Sequence, residues 1–459
     1  MNKLKELLQS LKKEELIALI IDMSNGFEGL EDKILFQYLT FDEAGEIKKN
    51  KKYLAEITKK YGDGSRFVTW KQCENYTMEV AEILETARSY SFDLNKPMVG
   101  IETAINVIAQ MIRSLNYMDD SNGSIGDIVN ESLSLIGEIC INTYDFDNKD
   151  KTKSFNKLLK EADKAVYNGW EEWRVEVISN CIYFCSNAKL REKLLEKLEK
   201  LVRGYSDDWE GEYSKERVLL IKFNIINMYG NELEKKKFIE ENLKYSAFRE
   251  ILINQYLDKN EYEEVLRVSE EGEVVDSKYR GLVDKWKKYK YLAYKNLNKI
   301  EEQKKLAKEL FLSNSSEFYE ELKELYKERW HVFYKELKDA FEEKKWNTTE
   351  YYANMLIKEN DLAELLSFVA NDVSYIEQYA QILINEYKDK VNEIYKLYIE
   401  SMAYGANDRK KYKKVCKVII RYRELYGEIL TIRIIEDLKQ KYNKKLAFID
   451  ELERINSKR

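Results

Sequence analysis

Apolar residues recur three and four positions apart along most of the chain, the spacing that lays one apolar stripe along a helix. The pattern is clearest between Asn254 and Leu312, where NQYLDKNEYEEVLRVSEEG precedes WKKYKYLAYKNLNKIEEQKKLAKELF. In each run an amphipathic helix ends at a short polar turn, Asp258-Lys259-Asn260 and then Asn296-Leu297-Asn298-Lys299. An apolar residue, Tyr262 or Ile300, then opens a returning helix. Such a hairpin leaves its apolar face uncovered until a neighbouring copy stacks on it, so the pattern predicts a helical-repeat array.

Upstream, helices are predicted over 3–24 with a break, 30–39, from a cap at Asp42, 68–90 and 99–117. Gly26 and Gly29, the loop Tyr61-Gly62-Asp63-Gly64-Ser65-Arg66 and the segment Asp93 to Pro97 interrupt them. A long helix carrying Ile128, Leu133, Leu135, Ile136 and Ile139 follows the polar loop 119–124. The densest polar stretch, DFDNKDKT at 145–152, is read as a boundary between an N-terminal helical domain, 1–148, and a repeat solenoid, 149–459. Beyond it helices are predicted over 153–167, 169–186, 188–203, 213–229, 232–242 and 246–257, and, after the hairpins, over 316–326 and 329–344. The last group covers 348–358, 361–369, 373–386, 388–403, 408–424, 429–442 and 444–456. Residues equivalent to Tyr262 and Ile300 are Leu362 and Tyr412, and their spacing is uneven. A tetratricopeptide array would repeat every ~34 residues. The expected fold is all-α, an α-α superhelix of degenerate tetratricopeptide-like repeats, with a plain helical bundle as the alternative.

Composition strengthens the helical reading. The 459 residues include one proline, Pro97, and 17 glycines. Proline breaks helix interiors, and folds rich in turns use both residues freely. The balance of 77 basic against 83 acidic side chains, net −6, gives no global case for nucleic acid. Five cysteines, all within apolar helical runs, read as small core residues. No window is apolar enough for a membrane span or a signal-peptide core, so a cytoplasmic protein is expected.

Two stretches resemble the helical region that accompanies SWIM zinc-finger modules in bacterial proteins. One is LKKEELIALIIDM, Leu11 to Met23; the other runs from about Ile251 to Ile455 and includes AYGANDRKKYKKVCKVIIRYRELYG and DLKQKYNKKLAFIDELERI. The resemblance implies a helical repeat scaffold. The zinc-finger module itself needs Cys-x-Cys and Cys-x-His, and neither motif occurs here, so no zinc ligand and no DNA-binding role carry over.

Catalytic chemistry finds little support. His331, in Glu328-Arg329-Trp330-His331, is the single histidine, which excludes H-E-x-x-H and paired E-x-x-H sites and reads as a satisfied structural residue. Cys181 and Cys185 lie one helical turn apart without a second pair, favouring core packing over metal. Asp120, Asn122, Ser124 and Glu131 imitate an EF-hand, but Ile125 stands where the loop needs glycine, so a capped helix start is expected. No phosphate-binding glycine motif occurs.

Charge distribution gives the mechanistic lead. Residues 409–423 hold eight basic side chains and no acid, with Lys410, Lys413, Lys414, Lys417 and Arg421 on one helical face. Residues 258–276 hold eight acids against Lys259 and Arg267. The thirty-four tyrosines fit either interfaces or helix seams. The expectation is a non-enzymatic scaffold without metal or cofactor, binding a protein or peptide partner. Partner contacts are placed at Arg409, Lys410, Lys413, Lys414, Lys417 and Arg421. The alternatives are a nucleic-acid-associated accessory protein using the same basic helix, a peptide-sensing regulator, or a merely solvated helix face.

Overall fold

Helix starts in this chain are closed by side chains the sequence supplies. In the computed structural model, which describes residues 2–27, 30–62, 64–142, 146–347 and 349–457, Asp42, Asp147, Asp208, Thr349 and Asp408 each accept a hydrogen bond from a first-turn backbone N–H. Each satisfies a donor that the helix itself leaves unpaired. Pro97 opens its helix, where its missing N–H costs nothing. Among the described residues there are 24 α-helices, and the one β-type contact is an isolated bridge between Val68 and Met118. No described helix is long and apolar enough to cross a membrane. Gly29, Asp63 and the start of the polar stretch at 145 lie outside the described residues.

The chain divides into two compact units, 1–255 and 256–459. The first begins with α1 (Asn2–Ser10), α2 (Lys13–Gly26) and α3 (Leu30–Tyr38), and centres on α4 (Glu43–Tyr61), α5 (Trp70–Phe92), α6 (Pro97–Ser114) and α7 (Ser124–Ile141). PMVGIETAINVIAQMIRS of α6 is apolar on nearly every side, and such a helix is stable only when covered all round. α4, α5 and α7 cover it, and Val99, Ile101, Ile105 and Ile108 are fully buried. Gly100 permits the approach: a Cβ there would collide with Ser91 and Ile139.

α8 (Asn148–Glu161), α9 (Glu171–Ser179), a 3-10 turn at Asn180–Phe184, α10 (Ala188–Gly204), α11 (Trp209–Tyr229), α12 (Glu232–Glu241) and α13 (Ser246–Asp258) follow. The division therefore falls within α13, not at the polar stretch 145–152. Phe155 and Leu158 of α8 belong to the same core as Ile105, Ile136 and Cys140. Ser154 donates to Met98 Sδ at 3.2 Å, and Lys153 pairs with Glu43 at 3.0 Å. The polar run is the exposed, Asp147-capped start of α8, and its composition reflects capping instead of a linker.

The second unit comprises α14 (Tyr262–Val275), α15 (Arg280–Asn296), α16 (Ile300–Leu312), α17 (Phe318–Leu325), α18 (Trp330–Glu343), α19 (Glu350–Lys358), α20 (Leu362–Asn371), α21 (Ile376–Gly405), α22 (Arg409–Tyr426), α23 (Glu428–Lys441) and α24 (Leu446–Ser457). Packing is local: α14 on α15, α15 on α16, α16 on α17, α19 on α20, α20 on α21, α21 on α22, and α22 on α23 and α24. This is the nearest-neighbour order of a helical-repeat stack. The helices predicted at 373–386 and 388–403 meet where expected: Tyr387 has non-helical φ −123 and ψ 36, a kink that divides α21 into two helices.

The turns reveal the repeat that the residue spacing obscures. Asn260, Asn298, Asn314, Lys345 and Asn360 all have positive φ, between 55 and 78. After each, the next N–H donates five residues back: Glu261 to Tyr256, Lys299 to Tyr294, Ser315 to Leu310, Trp346 to Phe341, Asp361 to Leu356, at 2.8–3.2 Å. The left-handed residue itself donates three back, as Asn260 does to Leu257 at 3.0 Å. This pair of bonds is the Schellman cap, and asparagine is the side chain that best tolerates it after glycine. Tyr262, Ile300 and Leu362 each open a helix two residues later, whereas Tyr412 sits inside the first turn of α22. The long gap between Ile300 and Leu362 contains two further caps, at Asn314 and Lys345.

Tyrosine hydroxyls and carboxylates tie hairpin to hairpin. Tyr291 donates to Glu321 at 2.6 Å; Tyr334 and Lys338 donate to Asp361 at 3.0 and 2.8 Å; Trp330 Nε1 donates to Glu359 at 2.9 Å. The predicted turn Glu359-Asn360-Asp361 is thereby locked to α18. In the opening hairpin, Trp286 is fully buried against Gly272 and donates to Asp276 at 2.8 Å.

Candidate functional site

α22 has the sequence RKKYKKVCKVIIRYRELY, and its two faces separate by residue type. Tyr412, Val415, Cys416, Val418, Ile419 and Tyr422 are buried. Lys410, Lys413, Lys414 and Lys417 are exposed on the opposite face and, among the described residues, form no ion pair. They occupy positions i, i+3, i+4 and i+7, which aligns four ammonium groups along roughly 10 Å of helix.

The six residues predicted as a contact surface do not act alike. Arg409 is held by Glu451 at 2.7 Å and by Asp450, both on α24. Arg421 is held by Glu377 of α21 at 2.6 Å. These two arginines fasten α22 to its neighbours and leave the four lysines accessible, beside exposed Lys411, which donates to the neutral Asn407 amide at 2.9 Å. Arg423 likewise turns inward, toward Glu428 at 3.8 Å and the Ile455 carbonyl at 3.5 Å. Glu424 is exposed and closes the C-terminal end of the lysine stripe.

The acidic run at 258–276 is partly paired. Arg267 pairs with Glu264 and Glu271 at 2.8 Å. Lys290 pairs with Glu273 at 2.9 Å and reaches Glu270 at 3.8 Å, and Asp276 accepts from Trp286. Of these cations only Lys290 lies outside the run, so it offsets one charge of an excess of six acids and most of the negative charge stays on α14.

The remaining sequence candidates resolve into structure. His331 is exposed at the start of α18. All five cysteines are buried and unbridged. Burial pushes the Cys185 thiol up to about 11 and the Cys416 thiol up to about 12, and raises Cys140 and Cys181 as well. Asp120 accepts from the Ile125 N–H at 2.7 Å, closing the start of α7 as expected.

A feature that sequence reasoning missed lies in the first unit. α7 and α11 wall a groove of about 530 Å3, and α9 with the following 3-10 turn completes its lining. Asn130, Trp173 and Asn224 line it from three different elements. Nothing in their spacing links them; only the packing of α7 on the 3-10 turn and of α11 on α9 does.

No family model and no curated protein matches this chain. Among solved structures, a circular tandem repeat protein with novel repeat topology and enhanced subunit contact surfaces aligns with 90% of this chain and 95% of its own. Its sequence identity is 12% and its TM-score 0.24.

Proposed function

We propose that this protein is a non-enzymatic helical-repeat scaffold whose C-terminal unit holds an acidic segment of a partner protein on the exposed face of α22. The observation that carries the reading is the stripe Lys410, Lys413, Lys414 and Lys417, which forms no ion pair among the described residues while the flanking arginines are held by Glu377, Asp450 and Glu451. Lysine ammonium groups on flexible stems accept acidic partners of varied geometry, at modest energy per contact. A short stripe on a chain of net charge −6 suits a short acidic segment better than a long polyanion, which the rest of the surface would repel.

The test is a titration of fluorescein-labelled octaglutamate and of a 20-nucleotide single-stranded DNA against the intact protein at two salt concentrations. The proposal expects saturable octaglutamate binding at low salt that weakens as salt rises, with DNA bound no more tightly. Preferential DNA binding would favour the nucleic-acid reading, and binding of neither would remove the surface from consideration.

A further inference from the structure

We propose that the groove between α7 and α11 is a second binding site, for an extended peptide segment that carries a basic side chain beside an apolar one. The site is separate from the lysine stripe and opposite to it in charge, so it does not rest on the reading of α22.

Three observations converge on that occupant. Asn130 on α7 and Asn224 on α11 are exposed, face the groove from opposite walls and form no hydrogen bond among the described residues. A side-chain amide offers one acceptor and two donors, the complement of a peptide unit, so an extended chain lying between the walls presents N–H and C=O to both. The groove also offers apolar surface: half-buried Trp173 and buried Ile221 line it. Finally, its rim is acidic. Glu172 and Glu176 share the single guanidinium of Arg217, at 3.1 and 2.8 Å, which leaves one carboxylate charge uncompensated. Trp173 stacks on Trp170 with centroids 4.6 Å apart, placing a π-rich face beside those carboxylates. Carboxylate and indole together favour a cation. Side chains of an extended segment alternate in direction, so an apolar residue directed to Trp173 sends its neighbour toward the rim. The volume of about 530 Å3 lies within the ~300–1,000 Å3 of ligand sites.

The test probes the full-length protein on an array of 12-residue peptides of random sequence. Bound peptides are expected to be enriched in Lys or Arg next to an apolar residue. N130A/N224A should lower the signal on them at least tenfold with an unchanged thermal melt, since neither amide supports the fold. E172Q/E176Q should abolish the preference for basic peptides, and K413E/K414E should leave the array pattern as it was. Absence of bound peptides, binding without basic enrichment, or binding unaffected by both groove variants would overturn the proposal. So would conversion of a dimer to a monomer by N130A/N224A in light scattering, which would make a second copy of this chain the occupant.

Discussion

Single residues in this chain carry more of the architecture than its residue spacing does. Five left-handed caps end helices in the second unit, four of them asparagine. A β-carbon in the left-handed region costs roughly 1–2 kcal/mol, which glycine avoids and asparagine partly offsets locally. Asn260→Ala is therefore expected to lower stability by about 1 kcal/mol, and Asn260→Gly to leave it near the parent value; urea denaturation separates the two. The cysteines make a second expectation. With thiols buried and Cys185 and Cys416 raised to about 11 and 12, almost no thiolate exists near neutral pH. Iodoacetamide at pH 8 should label none of the five in the native protein and all five after unfolding, read by mass. Burial of these cysteines was legible, because each sits among apolar neighbours at helical spacing. The placement of His331 was not: the positions flanking it read as amphipathic, but which side of α18 meets the core depends on α16, α17 and α19.

Among the elements, helix existence was legible, and so was the break at Tyr387, where a kink interrupts both the apolar stripe and the helical backbone. The caps at Asn314 and Lys345 fall outside the re-entry pattern because the residue two places on, Ser316 or Asn347, is polar and opens no helix. The charged face of α22 was legible as a stripe, but the division of labour within it was not. Arg409 and Arg421 find their acids on α24 and α21, across distances in sequence that no local pattern reports. One local and one long-range pair fix Glu212 of α11. Burial raises the Glu212 carboxyl, but the ammonium groups of Lys215 and Lys244, at 2.8 and 2.9 Å, more than offset this and hold it at about 2. A depressed carboxyl stabilises the fold above its ordinary value of 4.5 and loses that contribution as pH falls toward 2. Glu212→Gln should thus be less stable than the parent at pH 6, and most of the difference should be gone by about pH 2, as followed by urea denaturation across that range.

For the molecule as a whole, two separate cores matter more than the polar stretch that first looked like a boundary. One core runs from Phe36 to Ile225, the other from Tyr291 to Ile455. Ile108, fully buried in α6, contributes only to the first. Removing its side chain by Ile108→Ala should cost about 2–5 kcal/mol there. Calorimetry should then show one unfolding transition moved to lower temperature and another left in place. The second unit presents the surface on which the functional reading depends, and the most direct measurement is octaglutamate affinity of K410E/K413E/K414E/K417E beside the parent. Exposed charge pairs contribute about 0.2–1 kcal/mol each. The reading predicts a loss of at least about tenfold at low salt in the fourfold variant, with helical content unchanged. Affinity equal to the parent's would contradict it.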